Sequence, residues 1–125
     1  MSGIALGYGN PDESDVQQML DRIAYRGDGM AGSFSDQNVV MMQNYLRADT
    51  RGAATSAEVP VSTEADGTHI CYDGQINDCR DLCDKFGVPE GPFMEERLVM
   101  HLYRKYKTDM FQYLNNAIFA FVITD

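Results

Sequence analysis

The sequence predicts an α+β domain built in layers, and three observations carry that prediction. The elements run strand, helix, strands, helix, helix, strand, and adjacent strands between helices favour a layered sheet-and-helix arrangement over a simple parallel βαβ chain. The chain has 125 residues, enough for one domain with a real core and too few for two, so residues 1–125 are read as a single domain. Hydrophobic residues make up 44% and charged residues 23%, the balance of a soluble globular protein rather than a disordered or fibrous one.

The first eight residues, Met1 to Tyr8, read as a short buried strand. A turn follows at Gly9-Asn10-Pro11-Asp12. Ser14 then suits a helix cap, with Gln17 three residues on completing a capping box. Val16, Met19, Leu20 and Ile23 keep the i, i+3, i+4, i+7 spacing and predict an amphipathic helix from Asp15 to Ala24. Tyr25-Arg26-Gly27-Asp28-Gly29 breaks it. Ala31 to Phe34 and Val39 to Leu46 predict a hairpin turned at Ser35-Asp36-Gln37-Asn38. Arg47 to Ser62 shows no period and is long for a connection in a compact domain, a length typical of functional or mobile loops.

Asp66-Gly67 signals a turn, and Thr68 to Asp73 predicts a strand that Gly74-Gln75-Ile76 leaves. Asn77 or Asp78 caps a helix over Cys79 to Phe86, with Gly87 at its C′ position. Val88 to Pro92 is a loop. A longer helix covers Glu95 to Tyr106, with Leu98, Val99, Leu102, Tyr103 and Tyr106 on one face. Met110, Phe111 and Leu114 add a helical turn or two. Ala117 to Thr124 is the most apolar strand, and the sequence stops just after it. That predicts either a sheet truncated at the C-terminus or one completed by another chain, because such an edge needs cover.

The net charge of −9 argues against nucleic acid as a partner, since phosphate binding needs a basic face. The positives cluster once, at Arg104-Lys105-Lys107, where cations complement a helix C-terminus. No apolar run reaches the length of a membrane span. The N-terminus lacks the basic flank and apolar core of a signal peptide, so a cytoplasmic location and no membrane partner are expected. The three cysteines, Cys71, Cys79 and Cys83, match no standard zinc spacing together with His69. They read as reduced, buried thiols, and no metal or other cofactor is expected.

Ser2 becomes the first residue if the initiator methionine is removed, and its small side chain permits that removal. An N-terminal Ser, Thr or Cys is a self-contained catalytic unit, the side chain acting as nucleophile and its own α-amine as base. The amine suits the role because its reference pKa of about 7.7–8.0 lies close to working pH.

Several segments then line up, in order, with one family. Met1-Ser2-Gly3-Ile4 resembles the MCGI start of class II glutamine amidotransferases. Tyr25-Arg26-Gly27-Asp28-Gly29 resembles the HRGPDG turn of the asparagine synthetase branch. Asp73-Gly74-Gln75-Ile76-Asn77-Asp78 resembles NGEIYN, with Leu82 following as in the family's next helix. Glu95 to Tyr103 resembles the helix that opens with SDTE. Leu114 to Phe121 resembles LNGMFAF with one extra residue, and Asp125 falls at that motif's closing aspartate. The resemblance runs from residue 1 to residue 125. It implies an N-terminal-nucleophile (Ntn) hydrolase-like four-layer αββα sandwich with the N-terminal residue exposed between the two sheets. It also implies glutamine, or a related amino acid, as ligand.

The same resemblance implies a site that departs from the family's chemistry. In the family an N-terminal Cys attacks the glutamine side-chain amide and ammonia passes to a synthetase domain; here the nucleophile position is Ser2. The Asn-Gly pair of the oxyanion hole corresponds to Asp73-Gly74, and an ionised Asp73 sets negative charge beside a developing oxyanion. The following glutamate is Gln75. The arginine that clamps the substrate carboxylate falls at Tyr45, with Arg47 two residues on, facing the same side of a strand. The aspartate that holds the substrate amine is Glu95. The individual residues also have ordinary uses: Arg26 in a turn, Asp73 on the next helix start, Glu95 as an acid at a helix N-terminus. The joint change of nucleophile, oxyanion donor and clamp implies impaired or lost glutamine hydrolysis. The other reading is a non-catalytic module that self-associates as a homo-oligomer or pairs with a synthetase. No phosphate loop of the SGGxDS type is present in the sequence, so the synthetase half is not in this chain.

Overall fold

The computed structural model describes residues 2–27, 30–45, 61–62 and 67–125. These residues fold as a mixed α+β structure with two three-stranded antiparallel sheets.

The first sheet contains β1 (Ser2–Tyr8), β2 (Met30–Ser35) and β3 (Val39–Tyr45) in the order β1-β3-β2. Ser2 lies opposite Tyr45, and Tyr8 opposite Val39. The hairpin turn between β2 and β3 is held by Asp36, whose Oδ1 accepts from the N–H groups of Asn38 and Val39.

Strand alternation sends Gly3, Ala5 and Gly7 to one face of β1, and Ser2, Ile4 and Leu6 to the other. The first face carries helix α1 (Glu13–Arg22), whose Val16 and Leu20 are buried with Ala5, Val40 and Met42. The glycines let the helix sit close: a Cβ at Gly7 would come within 2.7 Å of Pro11 Cβ and 3.0 Å of Val16 Cγ2. The helix starts earlier than its sequence suggests. Asp12, not Ser14, is the N-cap: its backbone is extended, its carboxylate Oδ1 accepts the Ser14 N–H at 2.9 Å, and Ser14 falls inside the first turn. Asp outranks Ser little as a cap, but here Pro11 immediately precedes it and Glu13 and Asp15 then complement the dipole.

The second sheet contains β4 (Val61–Ser62), β5 (His69–Ile76) and β6 (Ala117–Thr124) in the order β4-β5-β6. Two expectations change here. Val61 and Ser62 form a short strand rather than the end of a loop; residues 46–60 lie outside the described residues. β5 does not end at Asp73 but runs on through Gly74-Gln75-Ile76. The cause is β6, which pairs along the whole stretch from His69↔Thr124 to Ile76↔Ala117.

Helices α2 (Cys79–Phe86) and α3 (Met94–Tyr106) cover one face of this sheet, followed by a 3-10 segment, Lys107–Tyr113. Ile70, Tyr72 and Ile76 from β5 pack there against Leu82, Leu98 and Leu102. Burying each Leu or Ile contributes about 1.5–3 kcal/mol, so this larger cluster dominates the stability of the half that carries it. Gly87 ends α2 with φ 74° and donates its N–H to the Cys83 carbonyl. Cys79 and Cys83 share a helix face as their spacing required, their sulfurs 3.9 Å apart, and none of the three cysteines is in a disulfide. Among the described residues no helix is long and apolar enough to cross a membrane.

The two sheets meet through the faces the helices leave free. Phe34 stacks on His69 with centroids 3.5 Å apart, the Thr124 hydroxyl donates to Met41 Sδ at 3.7 Å, and Gln43 reaches Tyr72. Ser2 opens onto this seam.

Candidate active site

The N-terminal end of β1 is held by side chains. The Ser2 N–H donates to Asp73 Oδ1 at 2.9 Å, across the seam from β5. The Ser2 carbonyl accepts from Arg26 Nε at 2.7 Å. The Gly3 N–H donates to Asn44 Oδ1 at 2.7 Å, and Asn44 Nδ2 in turn donates to the Ile23 carbonyl at 3.3 Å. Three consecutive backbone groups are thus fixed by residues from β5, the 3-10 turn Ala24–Arg26, and β3.

Arg26 closes the arrangement. Its Nη2 donates to Asp73 Oδ2 at 2.6 Å, while Nε holds Ser2. Both Asp73 oxygens are therefore occupied, one by the Ser2 backbone and one by a guanidinium. Asp73 does not cap the following helix; Asp78 stands at that position and makes no side-chain cap bond.

One edge of β5 runs beside this cluster. β6 bonds one side of β5, and among the described residues β4 reaches only Ile70 and His69 on the other. N–H and C=O groups alternate sides along a strand, so those of Tyr72, Gly74 and Ile76 all face the edge beyond β4. Gln43, 2% exposed, takes both groups of Tyr72: its Nε2 donates to the Tyr72 carbonyl at 2.8 Å and its Oε1 accepts the Tyr72 N–H at 3.3 Å. Glu95 Oε1 accepts the Ile76 N–H at 2.9 Å. Between these two caps, the Gly74 N–H has no partner among the described residues. A glycine is needed there, because an added Cβ would lie 2.5 Å from the Ile118 carbonyl and 2.7 Å from Phe119 Cα.

Glu95 also accepts a hydrogen bond from the Tyr72 hydroxyl at 3.1 Å. Burial and the adjacent Glu95 carboxylate push the Tyr72 phenol well above its ordinary pKa, so it stays a donor at all working pH values. Glu95 thus spends both oxygens on β5, from the helix side of the sheet, while Ser2 and Asp73 face the seam. Gln75 lies on the seam face with Asp73, exposed, its Nε2 donating to Asn77 Oδ1 at 2.9 Å. Arg47 and the Tyr45 side chain lie outside the described residues.

The structure therefore gathers Ser2, Asp73 and Gly74 at one place, with Gln75 alongside and Glu95 bracketing the strand edge. Sequence reasoning gave Arg26 only a turn role and did not name Asn44, Gln43 or Tyr72. Arg26 stood inside a motif it had already quoted; Gln43 and Asn44 carried the signal of two polar residues closing an otherwise apolar strand, Val39-Val40-Met41-Met42.

The model of a glutamine amidotransferase domain matches the chain over residues 1–125. The chain belongs to that family. No curated protein matches it. The groups around Ser2 in this amidotransferase domain differ in what they offer chemically. A donor N–H at Gly74 suits an oxyanion; the Asp73 carboxylate opposes one, although the Arg26 guanidinium 2.6 Å away offsets part of its field.

Proposed function

We propose that this amidotransferase domain is of the asparagine synthetase glutaminase type, an Ntn hydrolase-like αββα sandwich that binds glutamine or a related amino acid and hydrolyses it poorly or not at all. The observation that carries this is Asp73, whose carboxylate bridges the Ser2 N–H and Arg26. Removing one oxyanion donor costs about 10²–10³ in rate, and a carboxylate in that donor's place adds repulsion. The same carboxylate affects the base. Once Met1 is removed, the Ser2 nitrogen is an α-amine, and a carboxylate 2.9 Å away favours its protonated form, which cannot accept a proton. Ser2 is in this reading the nucleophile, Gly74 the remaining oxyanion donor, and Gln75, Arg47 and Glu95 the substrate-side residues. Glu95 is able to serve there only by sharing a carboxylate already bonded to Tyr72 and Ile76. A cytoplasmic location accompanies the proposal.

Intact mass of the purified protein and glutamate release from glutamine test it together. The expected result is loss of Met1, slow release abolished in Ser2→Ala, and release at least about tenfold faster in Asp73→Asn, which restores a donor. Release that survives Ser2→Ala, or that falls in Asp73→Asn, overturns the reading.

A second reading, a non-catalytic module that self-associates or pairs with a synthetase, is favoured by β6. Among the described residues β6 pairs only with β5, and Ile118 on it is 84% exposed. Unpaired apolar edges promote association. Light scattering that finds a monomer at all concentrations removes its self-associating form.

A further inference from the structure

Gln43 has a use that neither its burial nor the family's nucleophile explains. It lies on β3 two residues before Tyr45, which pairs with Ser2, and faces the seam. A side-chain carboxamide is the one side-chain group that copies a peptide unit, offering a donor and an acceptor side by side. Gln43 uses both on a single residue, the N–H and C=O of Tyr72. It therefore occupies the place of a strand at the β5 edge, one residue before Asp73 and two before Gly74. The Ser2–Asp73 hydrogen bond crosses the same seam one residue further on.

We propose that Gln43 is a positioning residue: it pins β5 to β3 so that Asp73 and the open Gly74 N–H stand level with Ser2. The proposal rests on the reading of Ser2 as nucleophile given above, and adds to it the part that sets the distance between nucleophile and oxyanion donor. An apolar residue at 43 fills the space but leaves the Tyr72 N–H and C=O buried without partners. The seam then relaxes, and a shift of about 1 Å in a reacting geometry is able to cost on the order of 10² in rate. Glu95, on the far side of Gly74, still caps Ile76, so the strand end stays in place and only the register between the sheets is loosened.

Two readouts separate positioning from bulk stability. The first is hydrogen exchange by NMR at the Gln43 carboxamide of the wild-type protein and at Arg26 Nε–H, which reports the Ser2 carbonyl bond. The second is labelling of Ser2 by a diazoketone analogue of glutamine, followed by intact mass, in the Asp73→Asn background. Gln43→Met is expected to fold, to lose protection at Arg26 Nε–H by about tenfold or more, and to slow Ser2 labelling by about tenfold or more. Gln43→Glu keeps the acceptor for the Tyr72 N–H and is expected to fall between the two. If Gln43→Met does not fold, Gln43→Glu is read in the same way. Solvent-rate exchange of the wild-type Gln43 carboxamide overturns the proposal, as do variants whose Arg26 protection and Ser2 labelling stay within about twofold of their parents. Absence of labelling in every Gln43-intact protein counts against the nucleophile reading instead, and the exchange data alone then decide the role of Gln43.

Discussion

At the scale of single residues, the site is a contest over charge. An asparagine at position 73 would offer an N–H to an oxyanion; aspartate offers only acceptors, and here both are taken by Ser2 and Arg26. The resemblance singled out Asp73, but its partner across the seam was not legible in the sequence, because Arg26 and Asp73 are 47 positions apart. Gly74 is the complementary case. Its lack of a side chain lets β5 and β6 approach, so Gly74→Ala forces the Cβ onto the Ile118 carbonyl. Overpacking of this kind costs about 1–3 kcal/mol, and here the obstruction is backbone, which yields less than a side chain. Urea denaturation is expected to show a lower midpoint for Gly74→Ala with an unchanged slope. Full retention of the midpoint would mean that β6 moves freely.

At the scale of elements, the helices and strands followed from periodicity. The capping and the extension of β5 followed from neighbours. The helix spacing Leu98, Val99, Leu102 was visible because one face is apolar. The run through Gly74-Gln75-Ile76 was not visible, because glycine weakens a strand and only pairing with β6 keeps it extended. Likewise β4 owes its two residues to Ile70 and His69, which no local pattern announces. Helix α2 makes a separate prediction about thiols. Cys71 is buried, and desolvation pushes its pKa up to about 12; burial also raises that of Cys83. Cys79 is the partly exposed member. Timed alkylation with iodoacetamide, followed by peptide mass mapping, is expected to modify Cys79 first, with Cys71 and Cys83 reacting only on unfolding, because the thiolate is the reactive form. Early labelling of Cys71 would contradict the packing of β5.

At the scale of the whole molecule, the net charge is −9, and several of the described cations are engaged. Arg26 serves the site, Lys107 pairs with Asp125 at 3.6 Å, and Lys105 lies over the Phe86 and Tyr106 rings. His101 packs near Phe86 on the same side, and burial, with Arg104 and Lys105 beside it, holds its pKa below the ordinary 6.5. The unfolded chain therefore takes up a proton at His101 before the folded one does as the pH falls. Its contribution to stability is whole above pH 6.5 and is lost progressively below it. The melting temperature is expected to drop less between about pH 7.5 and about pH 5.5 in His101→Gln than in the wild type; an equal drop would place the acid sensitivity elsewhere. A different consequence follows from the clamp on β1. Asp73, Arg26 and Asn44 grip only backbone atoms of Ser2 and Gly3, and no bond to the Ser2 hydroxyl is formed among the described residues. The hydrogen bonds of the clamp are thereby independent of the side chain at position 2. A lineage carrying this scaffold is able to exchange serine for cysteine, a change of one atom, without giving up the bonds that hold the strand.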